Sequence, residues 1–127
     1  MIVRTLEELI QTPNHVVTED WRSTRLVVKS DGLGYSVHHT VVPKGHSVHC
    51  HYKNHFETNY CIAGEGEVLN VENGKTFAIR AGTVYALDQH DKHVVRATKQ
   101  DLHLVCVFNP PIQGEETHNA DGGYDIR

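Results

Sequence analysis

From Arg25 onward, short apolar runs recur between clusters of Gly, Pro, Asn, Asp and Ser, a pattern that predicts strands separated by turns rather than helices. Residues 25–29 read as a strand, Ser30-Asp31-Gly32-Leu33-Gly34 as a turn, residues 35–42 as a second strand and Pro43-Lys44-Gly45 as the next break. A long strand then carries the chain through Ile62. Ala63-Gly64-Glu65-Gly66 turns it into residues 67–71, and Glu72-Asn73-Gly74-Lys75, with the Asn-Gly pair favoured in tight hairpins, returns it along residues 76–79. After Arg80-Ala81-Gly82 come two short strands, 84–87 and 93–96, joined by Asp88-Gln89-His90-Asp91-Lys92. A last apolar strand, 102–108, ends at Pro110-Pro111. Only the N-terminus departs from this pattern: Thr5-Leu6-Glu7-Glu8 has the form of a capping box and predicts one short helix, about Leu6 to Gln11.

Short strands with a turn signal about every eight to twelve residues indicate an all-β sandwich or barrel. The spaced glycines suit a double-stranded β-helix, a jelly-roll barrel over about residues 22–110, within a single domain of 127 residues. The tail, residues 112–127, is polar, rich in Gly and acidic residues, and lacks an apolar period. It is expected either to be a flexible, disordered segment or to order over the barrel mouth.

Within this frame the spacing of metal-ligating residues is specific. Gly45, five residues, His51, then Lys53, Glu57 and, after six more, Gly64 follow the first signature of the cupin barrels, G-x5-H-x-H-x3-E-x6-G, with lysine at the second histidine. In the second signature, G-x5-P-x-G-x2-H-x3-N, Gly82 is followed at those offsets by Asp88, His90, His93 and Ala97. The chain thus resembles the cupins, with Glu57 and His93 in register as ligands and a charged Lys53 that cannot donate a lone pair. A further donor is needed, and counting supplies Tyr85. In a hairpin symmetric about Gln89, Tyr85 and His93 would be directly opposed, with Cβ atoms about 4.5–5.5 Å apart. His51, Lys53, His55 and Glu57 share one parity and would line one face of a continuous strand. Glu57, Tyr85 and His93 are therefore expected to hold a divalent metal with an open coordination position. Other histidines, such as His15, His46 and His103, read as structural or exposed.

Composition narrows the partner. Twelve basic against 16 acidic residues, a net charge of −4 and no Lys/Arg cluster exclude a nucleic-acid footprint. Glu7 and Glu8 interrupt the region where a secretory segment needs an unbroken apolar core, and no stretch reaches the length of a membrane span. Three cysteines, Cys50, Cys61 and Cys106, cannot all pair and suit reduced thiols. The protein is expected to be cytoplasmic and to bind neither nucleic acid nor membrane.

Over essentially its full length the chain also resembles one cupin family, the ectoine synthases. The similarity runs through Met1-Ile2-Val3-Arg4, Trp21-Arg22-Ser23-Thr24-Arg25, His51-Tyr52-Lys53-Asn54-His55-Phe56-Glu57, Gly64-Glu65-Gly66-Glu67, Tyr85-Ala86-Leu87-Asp88-Gln89-His90-Asp91-Lys92-His93, Ala97-Thr98-Lys99 and Cys106-Val107-Phe108-Asn109-Pro110. One fold hosts many chemistries, so a whole-chain match that includes the departures at Lys53 and Asp88 says more than either signature. The resemblance implies cyclo-dehydration of N4-acetyl-L-2,4-diaminobutyrate to ectoine, a compatible solute made under osmotic stress. It implies Fe(II) as the metal, with Mn, Zn or Co as alternatives for the same donors. Glu57, Tyr85 and His93 would be its ligands. Substrate contacts would come from Trp21, Arg25, Thr40, Tyr52, His55, Cys106 and Phe108, with Arg25 gripping the carboxylate bidentately and Trp21 and Phe108 walling the ring. Glu116, or Glu115 in its place, and His118 would contribute from an extended tail, pointing the same way. A homodimer is expected, with the strand at 102–108 beside its partner. The competing readings are a dioxygenase or isomerase cupin, which usually keeps the histidine that Lys53 replaces, and a non-catalytic small-molecule-binding cupin, which is usually fused to a DNA-binding domain.

Overall fold

The computed structural model describes residues 1–126. Two antiparallel sheets form the barrel. One has six strands in the order β1 (His15–Val17), β2 (Arg22–Val27), β3 (Ser36–Val42), β10 (Leu102–Asn109), β5 (Phe56–Ala63), β8 (Val84–Ala86); the other has four, β4 (Ser47–Cys50), β9 (His93–Ala97), β6 (Glu65–Asn70), β7 (Thr76–Arg80). Alternation decides which side chains face inward: on β10, Leu102, Leu104, Cys106 and Phe108 are buried while the residues between them are not. They meet Val42, Val48, Cys61, Val68, Ile79, Val95 and Ala97 in one apolar core contributed by both sheets.

The capping box forms as expected, with Glu8 N–H donating to Thr5 Oγ1 and Thr5 N–H to Glu8 Oε1. The helix it starts, α1 (Leu6–Leu9), stops short of Gln11. Leu9 is its only buried residue, so little packing extends it. The strand expected at 25–29 begins earlier, at Arg22, and Lys29–Asp31 form a 3-10 turn in which Asp31 accepts two hydrogen bonds from Arg4, both 2.8 Å. Strand β1 went unpredicted; its three residues carry too short a pattern to read.

Two expectations about strand geometry do not hold. The long strand through Ile62 is two strands in different sheets, β4 and β5, with residues 51–55 crossing between them. The crossing is held from outside: the carbonyls of Tyr52 and His55 both lie on His90 Nδ1, at 2.8 and 3.1 Å, and Asn54 donates to the Tyr124 carbonyl. His51, Lys53, His55 and Glu57 therefore do not line one face. Likewise β8 and β9 are not a hairpin: β8 pairs with β5, and β9 with β4 and β6.

The tail lies over the barrel mouth. Ile112 and Tyr124 join the core, the Ile112 carbonyl accepts from Lys29 N–H, and His51 N–H donates to Gly122 O. Gly122 and Gly123 run against the end of β4 so closely that an added Cβ would stand 2.3 Å from His49 O and 2.4 Å from His51 O. These glycines permit docking; they do not loosen the segment. Strand β10 sits between β3 and β5, so no strand edge is left on it for a partner.

A candidate metal and substrate chamber

The inward faces of both sheets and the tail enclose a chamber of about 30 Å³. That is room for about two water molecules. Strand β5 supplies Glu57 and Asn59, β8 supplies Tyr85 directly opposite Asn59, and β9 supplies His93 directly opposite Cys50. Tyr85 and His93 thus converge from separate sheets, their rings 6.5 Å apart, rather than from one hairpin.

Glu57 and His93 are buried, with His93 Nε2 4.0 Å from Glu57 Oε1. His93 Nδ1 lies 2.8 Å from the Asp91 carbonyl, which can only accept, so Nδ1 carries the hydrogen and Nε2 offers its lone pair to the chamber. Burial lowers the His93 pKa and raises that of Glu57 to about 7, against the pull of Asn59 and Cys106 beside its carboxylate. Tyr85 is pushed well above the usual phenol value, first by burial and then by the charge of Glu57. Asn59 flanks the carboxylate, yet neither its amide nitrogen nor its oxygen completes a hydrogen bond. Two acceptors facing each other across 4.0 Å, with a phenol alongside, fit a cation between them, since metal–ligand distances of about 2.0–2.2 Å let one ion reach both. No three His, Cys, Asp or Glu side chains gather to hold a metal among the described residues, so a third protein donor beside this pair could only be the Tyr85 phenol. Lys53 lies outside, exposed and paired with Asp121 at 3.3 Å.

Of the substrate residues expected from sequence, Trp21, Thr40, Tyr52, Cys106 and Phe108 line the chamber, as does His118. Tyr52 Oη and His118 Nε2 are 2.8 Å apart, and burial, followed by the charge of Arg25, lowers the His118 pKa to about 4. Burial also raises the thiol of Cys106 well above its usual value. Trp21, Val48 and His118 line the chamber and also a solvent-open cleft with Asp20, His51 and Asp121. The Trp21 and His118 rings, 5.1 Å apart, therefore separate the two.

Three expected residues stand elsewhere. Arg25 is fully buried but does not line the chamber; its guanidinium donates to Ser23 Oγ, Gly114 O and Tyr124 Oη. His55 packs edge-on to Phe108 and lines a separate cavity with Glu116 and Lys29. The Glu116 carboxylate turns back to accept the N–H groups of Gln113, Gly114 and Glu115, while His118 enters the chamber. The tail is not extended here, and the two side chains do not point the same way. Glu115 is exposed. His15, His46 and His103 bond to Thr24, Asp20 and His39, none of them in the chamber.

Sequence reasoning missed Ser23, His38, Asn59 and Tyr124 in the chamber wall. Ser23 and His38 share strands with Arg25 and Thr40, directly across from Thr40 and Arg25 respectively, so parity pointed to them. Tyr124 carried no such signal.

Comparison with known proteins places this geometry. The ectoine synthase family profile matches residues 1–127. The L-ectoine synthase of Halalkalibacterium halodurans is 52% identical over 126 residues, 99% of this chain and 97% of that one. That of Saccharophagus degradans is 48% identical over 99% of this chain and 95% of that one. The crystal structure of ectoine synthase from P. lautus superposes with a TM-score of 0.89 at 43% identity, covering all of this chain and 91% of that one. A cupin barrel domain protein from Salinispora arenicola shares the fold at a TM-score of 0.66 and 22% identity, over 85% of this chain and 87% of that one. Fold and chamber together define a cupin. Within that class, the chain belongs to the ectoine synthase family.

Proposed function

We propose that the protein catalyses the intramolecular cyclo-dehydration of N4-acetyl-L-2,4-diaminobutyrate to L-ectoine and water, as a cytoplasmic hydro-lyase completing the synthesis of an osmoprotectant. The observation that carries this reading is the Glu57–His93 pair, lone pairs facing across 4.0 Å inside an enclosed chamber with Tyr85 beside it. Glu57, Tyr85 and His93 would hold a divalent ion, Fe(II) first, with Mn(II), Zn(II) or Co(II) suited to the same nitrogen and oxygen donors. Bound there, the ion supplies Lewis acidity toward an amide oxygen, the electrophilic help that a poor electrophile requires.

The remaining demands fall on the chain. The acyclic substrate must be curled so that its α-amine meets its own acetamide carbon, and good preorientation is worth up to roughly 7–11 kcal/mol in favourable intramolecular cases. Trp21, Tyr52 and Phe108 supply flat apolar walls for this, with Phe108 edge-on to Tyr52 at 4.9 Å. The attacking amine loses two protons as the ring amidine forms, and the acetyl oxygen gains both to leave as water. His118, neutral and hydrogen-bonded through Nε2 to Tyr52, accepts each in turn and returns it to the departing oxygen. Cys106, its thiol held protonated, shapes the wall and forms no thioester. Water would compete for the intermediate, and the docked tail excludes it. Since the closed chamber has only about 30 Å³, the tail and the Trp21–His118 pair open to admit substrate. A homodimer is proposed through the outer face of the six-stranded sheet, where Tyr60, Ile62, Val84 and Val107 are exposed.

The test is turnover. Protein stripped by chelation should be inactive toward N4-acetyl-L-2,4-diaminobutyrate, and Fe(II) should restore formation of a ring methyl signal in proton NMR; activity undiminished after complete metal removal would contradict the metal-dependent reaction.

A further inference from the structure

Arg25 is fully buried, and no carboxylate of the described residues forms an ion pair with it. A buried guanidinium without a counter-ion is costly, because neutral acceptors replace only part of its hydration. Its three hydrogen bonds go to such acceptors: Nε to Ser23 Oγ at 3.1 Å, Nη1 to Gly114 O at 3.0 Å and Nη2 to Tyr124 Oη at 3.0 Å. Ser23 and Tyr124 line the chamber, so two of the three groups that meet the charge belong to residues of the cavity wall.

The hydrogens of those two hydroxyls are available. Tyr124 Oη accepts from Arg25 and keeps its own hydrogen to donate. Ser23 Oγ accepts from Arg25 and also from Thr40 Oγ1 at 3.2 Å, which leaves its hydrogen for a third partner. Each is polarised by the guanidinium behind it, and such donors favour anionic acceptors. The chamber wall has no lysine or arginine of its own, yet Arg25 lowers the pKa of both His38 and His118 there, so its field reaches the cavity.

We propose that Ser23 and Tyr124 form a carboxylate subsite, in which two hydroxyl hydrogens polarised by Arg25 bind the carboxylate of a small amino-acid-like ligand that serves as the missing counter-ion. Arg25 is then a positioning residue that acts through its neighbours. Because Tyr124 belongs to the tail, carboxylate binding also holds the tail closed. The identity of the ligand rests on the function proposed above; the preference for a carboxylate does not.

The probes are 4-acetamidobutyrate, which lacks the attacking amine and cannot react, and its neutral isostere 4-acetamidobutyramide. Binding to the full-length, metal-loaded protein is followed by fluorescence of Trp21, the single tryptophan, whose ring lies 5.8 Å from the Arg25 guanidinium carbon. Wild type should prefer the carboxylate by at least about tenfold, as expected for hydrogen bonds to a charged group. Tyr124→Phe, which keeps the ring contacts to Tyr52 and Phe108, and Ser23→Ala should each cut that preference at least about fivefold while changing amide binding by less than about twofold. No preference in wild type, no binding of either probe, or a preference unchanged in both variants would overturn the subsite. A protein that keeps the preference but makes no ectoine would overturn the proposed reaction and leave the subsite standing.

Discussion

His93 Nε2 faces Glu57 Oε1 at 4.0 Å, and the hydrogen bond from His93 Nδ1 to the Asp91 carbonyl fixes which ring nitrogen does the facing. The tautomer is set by a backbone group two residues away, before any ligand arrives. This is the arrangement by which metal-binding histidines are oriented, one nitrogen tied and the other presented.

Removal of any one donor should therefore lower metal content. Glu57→Ala, His93→Ala and Tyr85→Phe are each expected to reduce bound iron at least about tenfold at fixed free metal, in the range seen when metal-site partners are lost. Inductively coupled plasma analysis after dialysis measures it. Tyr85→Phe is the informative case, because it keeps the ring that packs against the core and removes only the oxygen. Full iron content in that variant would remove Tyr85 from the ligand set.

Acid should weaken the closed state through His118. Its folded pKa, about 4, lies below the unfolded value of about 6.5, so its contribution to stability is fully present above pH 6.5 and is lost as the pH falls toward 4. The difference corresponds to at most about 3 kcal/mol. Wild type should lose more melting temperature between pH 7 and 4 than His118→Asn, and Trp21 emission should shift over the same interval. Parallel pH profiles in the two proteins would show that His118 does not report on closure.

Gly122→Ala tests the docking of the tail. Gly122 has φ +80° and its Cβ would collide with the His49 carbonyl, so the substitution is strained twice over. It should undock the tail at a cost of at least about 1 kcal/mol, seen as faster proteolysis beyond residue 112 and a raised KM, with the barrel still folded. Unchanged proteolysis would mean that the tail is held mainly by Ile112 and Tyr124.

The legible parts of this molecule were those with a strong local code. Thr5 and Glu8 announced the helix start, the apolar run 102–108 ended by Pro110-Pro111 gave β10, and joint spacing brought out Glu57 and His93. Tyr85 was reached by a hairpin that does not exist. It still arrives beside His93 because β8 and β9 border the same cavity from opposite sheets, a relation that sequence distance does not encode. Arg25 and Glu116 were misplaced for a different reason: a charged side chain signals chemistry without showing whether protein or ligand meets it. Here the Gly114 carbonyl, the Tyr124 hydroxyl and the tail N–H groups meet them first. Tyr124 was hidden in a tail whose composition suggested disorder, though its glycines fit the backbone of β4.

The most direct test follows the oxygen that the proposed reaction must expel. N4-acetyl-L-2,4-diaminobutyrate carrying oxygen-18 in the acetyl carbonyl is incubated with the iron-loaded protein, and ectoine, acetate and water are analysed by mass spectrometry. Cyclo-dehydration within the Glu57–Tyr85–His93 chamber predicts unlabelled ectoine, all of the label in water and no acetate. Labelled acetate with free diaminobutyrate, or no ectoine from fully loaded protein, would contradict it.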